Sequence, residues 1–318
     1  MRLATVLWDR KPIVAACIED SILNLATCAA SLKRPRKEQL PSSMLDLIEG
    51  GPPTLRVVQD LYQEGVRRLA RKTWEAKARD PIVRPVDRVQ LLAPIPRPRR
   101  NVLCLGRNYA EHARERRAEI PTAPVFFTKP PSSVIGPEAP VTYHPVTAQL
   151  DYEVELAVVI GKRGLNISRA KAYDYVFGYT VLNDITARDL QKRHMQWFKG
   201  KSLDTFCPMG PWIVHKSAVP HPHTLRIGLR VNGDVRQAAS TADMVFWIPE
   251  LLEVLSAGMT LEPGDIIATG TPSGVGAGFN PPKWLQVGDV VEAEIEGIGL
   301  LRNRIIAPAR RVGRPRRR

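Results

Sequence analysis

Apolar residues alternate with polar ones through most of the chain, and the period of that alternation separates its parts. Near the start, RLATVLW and KPIVAACIEDSILNL have the composition of short strands. TLRVVQDLYQEGVRRLARKTWEA then changes period: Leu55, Val58, Leu61, Tyr62, Val66, Leu69 and Trp74 recur at helical spacing, with Arg and Lys opposite. Pro94, Pro96 and Pro98 alternate in LLAPIPRPRR, a stiff extended connection that places a domain boundary near residue 95. Beyond it the chain is mainly strands between Pro/Gly turns, with Asn232-Gly233 as a hairpin signal and helical interruptions around 168–174, 186–194 and 248–257. This predicts a β-rich α+β fold: a small N-terminal mixed α/β domain (1–95), a larger domain (96–306) and a basic tail (307–318).

Within the larger part, LDYEVELAVVIG (150–161) departs from the pattern of a buried strand only through its acids. Leu150, Tyr152, Val154, Leu156, Val158 and Ile160 form one apolar face. The other face begins Asp151, Glu153, Glu155 and then turns apolar. Glu153 and Glu155 could simply face water, as alternating strands often do. The continuation LAVVI, apolar on both faces, instead buries the strand just beyond them. Side chains two residues apart lie about 6.6 Å apart along a strand, and carboxylates about 5 Å apart repel by roughly 3 kcal/mol at an effective dielectric of 20. A cation between them converts that repulsion into binding.

VLNDITARDLQKR supplies a third acid, Asp184, where a strand pattern gives way to a helical one. A helix starting there would put Asp184, Arg188 and Gln191 on one face, and Asp184 could equally be its N-cap. Glu153, Glu155 and Asp184 together make an all-oxygen set suited to Mg²⁺, Mn²⁺ or Ca²⁺ rather than zinc. In LGRNYAEHARE, His112 and Glu115 share a helical face, either as a base and its orienting acid or as an exposed pair. KGKSLDTFCPMGP offers Lys201, weak evidence alone because lysine is usually exposed. ATGTPSGVGAG lacks the Gly-Lys-Ser/Thr of a phosphate loop. Its Gly270, Gly274 and Gly276 allow close backbone approach to a ligand, beside the Thr271 hydroxyl, or form a purely structural turn.

Net charge changes the picture less than its size suggests. The formal +14 is confined to residues 1–100 and to the tail, where APARRVGRPRRR carries six arginines, while residues 101–306 hold 21 charges of each sign. A nucleic-acid-binding protein built on the basic termini is therefore a distant alternative. No apolar run is long enough to span a membrane, and Asp9, Arg10 and Lys11 interrupt any export signal, so a cytoplasmic protein is expected. Cys17, Cys28, Cys104 and Cys207 lack paired or zinc-type spacing and are read as reduced, mostly buried thiols.

GRNYAEHARE, PVFFTKPPSSVIG, LDYEVELAVVIG, NDITARD, GKSLDTFCPMGP, TGTPSGVG and GDVVEAEIEGIGLLRNRI occur in the order seen in the fumarylacetoacetate hydrolase family, which the chain resembles over residues 101–306. The resemblance implies a mixed β-sandwich roll, a homodimer, and a divalent cation (Mg²⁺, Mn²⁺ or Ca²⁺) held by Glu153, Glu155 and Asp184. It implies His112 and Glu115 as a water-activating dyad and Lys201 beside the reacting carbonyl. Arg188, Gln191 and Thr271 match substrate-contacting positions. The expected reaction is metal-dependent hydrolysis of a C–C bond in a small acidic β-diketone or 2-oxo acid. The alternative is decarboxylation or isomerisation, as in relatives resembling 2-hydroxyhepta-2,4-diene-1,7-dioate isomerase of aromatic catabolism.

Overall fold

The computed structural model describes residues 1–32, 40–74, 77, 79–116 and 118–308; all but the first two residues of the basic tail lie outside them. The fold is α+β and strand-rich, as the alternation predicts. Its main sheet runs in the order Val83–Pro85, Ser21–Asn24, Lys11–Ile18, Arg2–Trp8, Cys207–His215, Val176–Asn183, Val154–Ile160, Ile266–Ala268, Val102–Gly106, Val125–Lys129. Neighbours on this path are antiparallel except Ile266–Ala268 and Val102–Gly106, which are parallel. The N-terminal strands extend this sheet, because Arg2 and Leu3 pair with Val214 and Ile213. The boundary proposed near residue 95 therefore lies between units that share one sheet.

A second sheet, Asp234–Ser240, Arg226–Val231, Val290–Ile295, Gly299–Ile306 and Val141–Thr142, packs across one face of the first. Val154, Leu156, Val158 and Ile160 point into the core that it closes, with Ile227, Leu229, Val291 and Ala293 opposite. Ala157 and Val159 point the other way, against Leu47, Ile48, Val58 and Leu61 of the N-terminal helices. Two cores on opposite faces explain why LAVVI carries no polar side. The long helix spans Gly51–Ala70, so Trp74 falls beyond its end yet still packs on the same core. At the expected hairpin, Asn232 and Gly233 both take positive φ (52° and 86°), as a two-residue turn of this hand requires.

Two local readings need correction. The strand predicted over 150–161 is broken: Leu150–Asp151 pairs with Thr186–Ala187, and the long strand begins only at Val154. Glu153 therefore sits in the break, where its N–H donates to Asn183 Oδ1 at 3.0 Å rather than to a strand ladder. The helix predicted from Asp184 begins four residues later, at Arg188, so Asp184 caps nothing. The short pairing of Thr186–Ala187 occupies the intervening chain.

Candidate active site

Register brings the three acids together. Val154 pairs with Asn183 and Glu155 with Leu182, and just past that pair the Asp184 N–H donates to the Glu153 carbonyl at 2.8 Å. All three carboxylates are buried, and each offers an oxygen within 4.8 Å of the others. The Gly270 N–H reaches Glu155 Oε2 at 2.7 Å. Gly270 has a φ of +93°, and a Cβ there would meet the Asn108 side chain at 2.8 Å, so only glycine allows this approach.

A fourth buried acid, Asp151, joins them, and three buried cations answer the four. Lys201 Nζ donates to Glu153 Oε2 and Asp184 Oδ2, both at 2.7 Å. Lys129 Nζ donates to Asp184 Oδ1 at 2.5 Å, to the Ile185 carbonyl at 3.1 Å and to the Lys201 carbonyl. Arg188 Nε donates to Asp151 Oδ2 at 2.7 Å, and its NH2 lies 2.6 Å from Glu153 Oε1 as an ion pair without hydrogen-bond alignment. Burial opposes ionisation of Glu153, yet Lys201 and Arg188 hold its carboxyl well below the usual carboxylate range. Glu155 has no such partner: burial, then Asp184 and Glu153, push its carboxyl well up. Burial pulls the Lys201 ammonium down, but Asp184 and Glu153 outweigh it and the net shift is upward.

These residues fit a hard divalent cation. Oxygens around an ion with 2.0–2.6 Å bonds lie about 3–5 Å apart, the separation seen here. The donors are all carboxylate oxygens, and Glu155, unlike Glu153, forms no ion pair with a buried cation among the described residues.

Of the residues selected from sequence, His112, Glu153, Arg188, Gln191, Lys201 and Thr271 line one cavity of about 460 Å³, while Glu115, Glu155 and Asp184 sit behind that lining. His112, on the helix Ala110–Glu115, has Nδ1 3.3 Å from Glu115 Oε2. Glu115 Oε1 in turn accepts from the Gly274 N–H at 2.9 Å. Arg188 NH1 donates to Gln191 Oε1 at 3.1 Å, and Thr271 Oγ1 accepts from Gln237 Nε2 at 2.8 Å. The glycine-rich loop approaches the protein's own carboxylates: Gly270 binds Glu155, Gly274 binds Glu115, and Gly276 binds Asp151 Oδ1 at 2.7 Å.

Sequence reasoning missed four residues that support this arrangement. Lys129, fully buried, carried no signal because a single lysine after an apolar run is usually exposed. Asp151 could have been found, since it opens the acidic face that Glu153 and Glu155 continue. Gln237 links Thr271 to the Val154 N–H, and Asn108 ties the turn before His112 to the Phe246 and Thr269 carbonyls. Both act over sequence separations that no local motif encodes.

Comparisons with known proteins identify the family. The Fumarylacetoacetate (FAA) hydrolase C-terminal profile matches residues 101–306. An oxaloacetate tautomerase of Bacillus subtilis (strain 168), YisK, is 50% identical over 312 residues, spanning 96% of this chain and 100% of the relative. A fumarylacetoacetate hydrolase from psychrophilic Exiguobacterium antarcticum (EaFAH) superposes with a TM-score of 0.78 at 39% identity, covering 97% of this chain and 100% of that one. A 2-hydroxyhepta-2,4-diene-1,7-dioate isomerase from Mycobacterium marinum does so with a TM-score of 0.69 at 30% identity, covering 97% and 99%. With the matched profile spanning well over half its length, the chain belongs to the fumarylacetoacetate hydrolase family.

Proposed function

We propose that the protein interconverts the keto and enol forms of a small acidic 2-oxo acid of the oxaloacetate type. The observation that carries this reading is that His112 lines the same cavity as Glu153, one of the three clustered carboxylates, with its Nδ1 3.3 Å from Glu115 Oε2. Tautomerisation needs a base that removes a proton from C3 and a polar environment for the charge that develops on the C2 oxygen. Its full-length likeness to an oxaloacetate tautomerase favours this outcome over the C–C hydrolysis expected from sequence.

Glu153, Glu155 and Asp184 would hold Mg²⁺ or Mn²⁺, which supplies Lewis acidity toward the carbonyl and carboxylate of a bound 2-oxo acid. Arg188, with Gln191 and the Thr271 hydroxyl, binds the substrate carboxylate. His112 takes the C3 proton, and Glu115 keeps the imidazole oriented through its contact with Nδ1. Lys201 places an ammonium against the oxygen that becomes negative. Hydrolysis remains the second reading, because the same dyad can take a proton from water and the structure of EaFAH, similar over the whole chain, bears a hydrolase name.

Proton NMR in D₂O with Mn²⁺-free, Mg²⁺-loaded protein tests the proposal. Exchange of the oxaloacetate C3 hydrogens faster than in buffer, without loss of carbon from the acid, is the expected result. Cleavage of an acylpyruvate with no acceleration of that exchange would replace tautomerisation by hydrolysis.

A further inference from the structure

Besides Arg188 and Lys201, the cavity wall carries Arg107, Arg116 and Lys192. None of these three forms an ion pair with a carboxylate among the described residues. Unpaired cations gathered on one small cavity repel each other, and an anion between them removes that cost.

Arg107 is the most firmly built of the three. Its guanidinium lies 5.5 Å from the centre of the Trp197 ring. Trp197 is itself fixed, edge-on to Phe127 at 5.5 Å and so close to Gly106 that a Cβ there would meet the ring at 2.2 Å. Arg107 also takes a left-handed backbone conformation, φ 58°, which is strained for a non-glycine residue. Its neighbour enforces that conformation: the Asn108 side chain donates to the Phe246 and Thr269 carbonyls and accepts from the Phe246 N–H at 2.7 Å. Strain held in place by buried hydrogen bonds at a cavity edge marks a side chain whose direction is being set.

Arg116 reaches the same cavity from the end of the helix that carries His112, anchored by an NH1 bond to the Ala277 carbonyl at 3.1 Å. Burial, then the nearby charge of Arg188, work against its own charge, and Asp151, Glu153 and Glu115 offset them only in part. On the reading proposed above, a ligand with one negative group uses Arg188. A ligand with two has Arg107 and Arg116 for the second.

We propose that Arg107, braced by Trp197, forms with Arg116 a second anion subsite that receives the remote carboxylate of a 2-oxo dicarboxylate, so that the protein selects diacids over monoacids. This rests on the reading that the cavity binds a 2-oxo acid.

The test compares oxaloacetate with 2-oxobutanoate, which carries a methyl group in place of the remote carboxylate. Ligand-induced thermal shifts at fixed Mg²⁺ give an apparent affinity for each acid, and C3 hydrogen exchange in D₂O is followed in parallel. The wild type should bind the diacid roughly tenfold or more tightly, the scale of one charge-assisted hydrogen bond. Arg107→Gln and Arg116→Gln should each bring that ratio down several-fold, mostly through weaker binding of the diacid. An unchanged ratio in both variants, or equal loss of both acids, overturns the subsite even if exchange is catalysed. A wild type that discriminates as expected but accelerates no exchange refutes the tautomerase reading while leaving the subsite supported.

Discussion

Lys201 Nζ lies 2.7 Å from Asp184 Oδ2, with the two side chains 2% and 0% exposed. The same ammonium contacts Glu153 Oε2, so one buried charge bridges two of the three carboxylates that would hold a metal. Lysine and a divalent cation therefore draw on the same negative charge, and each substitution in the cluster has a sign that electrostatics fixes.

Lys201→Met should tighten divalent-cation binding while weakening the metal-free protein. Removing the ammonium leaves Glu153 and Asp184 more negative toward an incoming ion. It also leaves Glu153 with Arg188 and Asp184 with Lys129 as their remaining buried cations, a loss bounded by the about 3–5 kcal/mol of removing one partner of a buried pair. Calorimetry with Mn²⁺ should show several-fold tighter binding, and thermal melting in chelator should show a lower Tm that Mn²⁺ restores. Weaker Mn²⁺ binding would show that the lysine organises the site more than it competes for it.

Glu155→Gln and Asp184→Asn should affect stability in opposite directions although both weaken metal binding by tenfold or more. Glu155 is pushed up by burial and by Asp184 and Glu153, so neutralising it relieves repulsion and should raise the Tm in chelator. Asp184 anchors both Lys129 and Lys201, and its neutral form strands the Lys129 ammonium and leaves Lys201 with Glu153 alone. Paired melts in chelator, with Mn²⁺ titrations of each variant, check both signs.

Lys129→Met should destabilise the protein by about 3 kcal/mol, because Asp184 loses a buried ion pair and the Ile185 and Lys201 carbonyls lose a donor. Urea unfolding measures this. Faster amide exchange confined to 184–202 would show that the lysine holds this segment against the cluster.

What the sequence made legible follows from distance along the chain. Glu153, Glu155 and Asp184 could be read because two share a strand segment and the third ends the neighbouring strand. Their meeting depends on only one register, Val154 with Asn183. The break before Val154 could not be read, because Leu150–Asp151 is drawn away by Thr186–Ala187, a pairing that no local pattern encodes. Lys129 and Gln237 were invisible for a related reason. Each looks like an ordinary polar residue in a strand, and its burial is decided by partners, Asp184 and Thr271, 55 and 34 residues away.

Stability should fall as pH drops from 6.5 toward 4 through His215. Burial, the N-terminal ammonium and Lys216 lower its folded value from 6.5 to about 4. Its Nδ1 faces the Ser217 N–H at 3.3 Å, an arrangement that requires the neutral ring. The unfolded chain binds the proton first, so this contribution is present above pH 6.5 and disappears progressively as pH falls toward 4. His215→Gln should flatten that part of a Tm-against-pH curve, and an unchanged slope in the variant would assign acid sensitivity to other groups.

His112→Ala should slow C3 hydrogen exchange of oxaloacetate by roughly 10²–10⁴-fold, the usual contribution of a positioned base. Mn²⁺ affinity should barely change, since the imidazole stands outside the all-carboxylate set. Glu115→Gln should give a milder loss. An amide keeps a carbonyl oxygen for the Gly274 N–H but puts an NH₂ group where a carboxylate oxygen now faces His112 Nδ1, which loosens the ring's orientation. An acylpyruvate assayed beside oxaloacetate then separates the two roles open to this histidine. If it takes a carbon-bound proton, exchange falls by the full factor, and any residual cleavage falls with it only when cleavage uses the same base. If its role is to activate water, cleavage collapses while exchange survives. Equal, small losses on both substrates, with weaker substrate binding, would make His112 a wall of the cavity rather than its base.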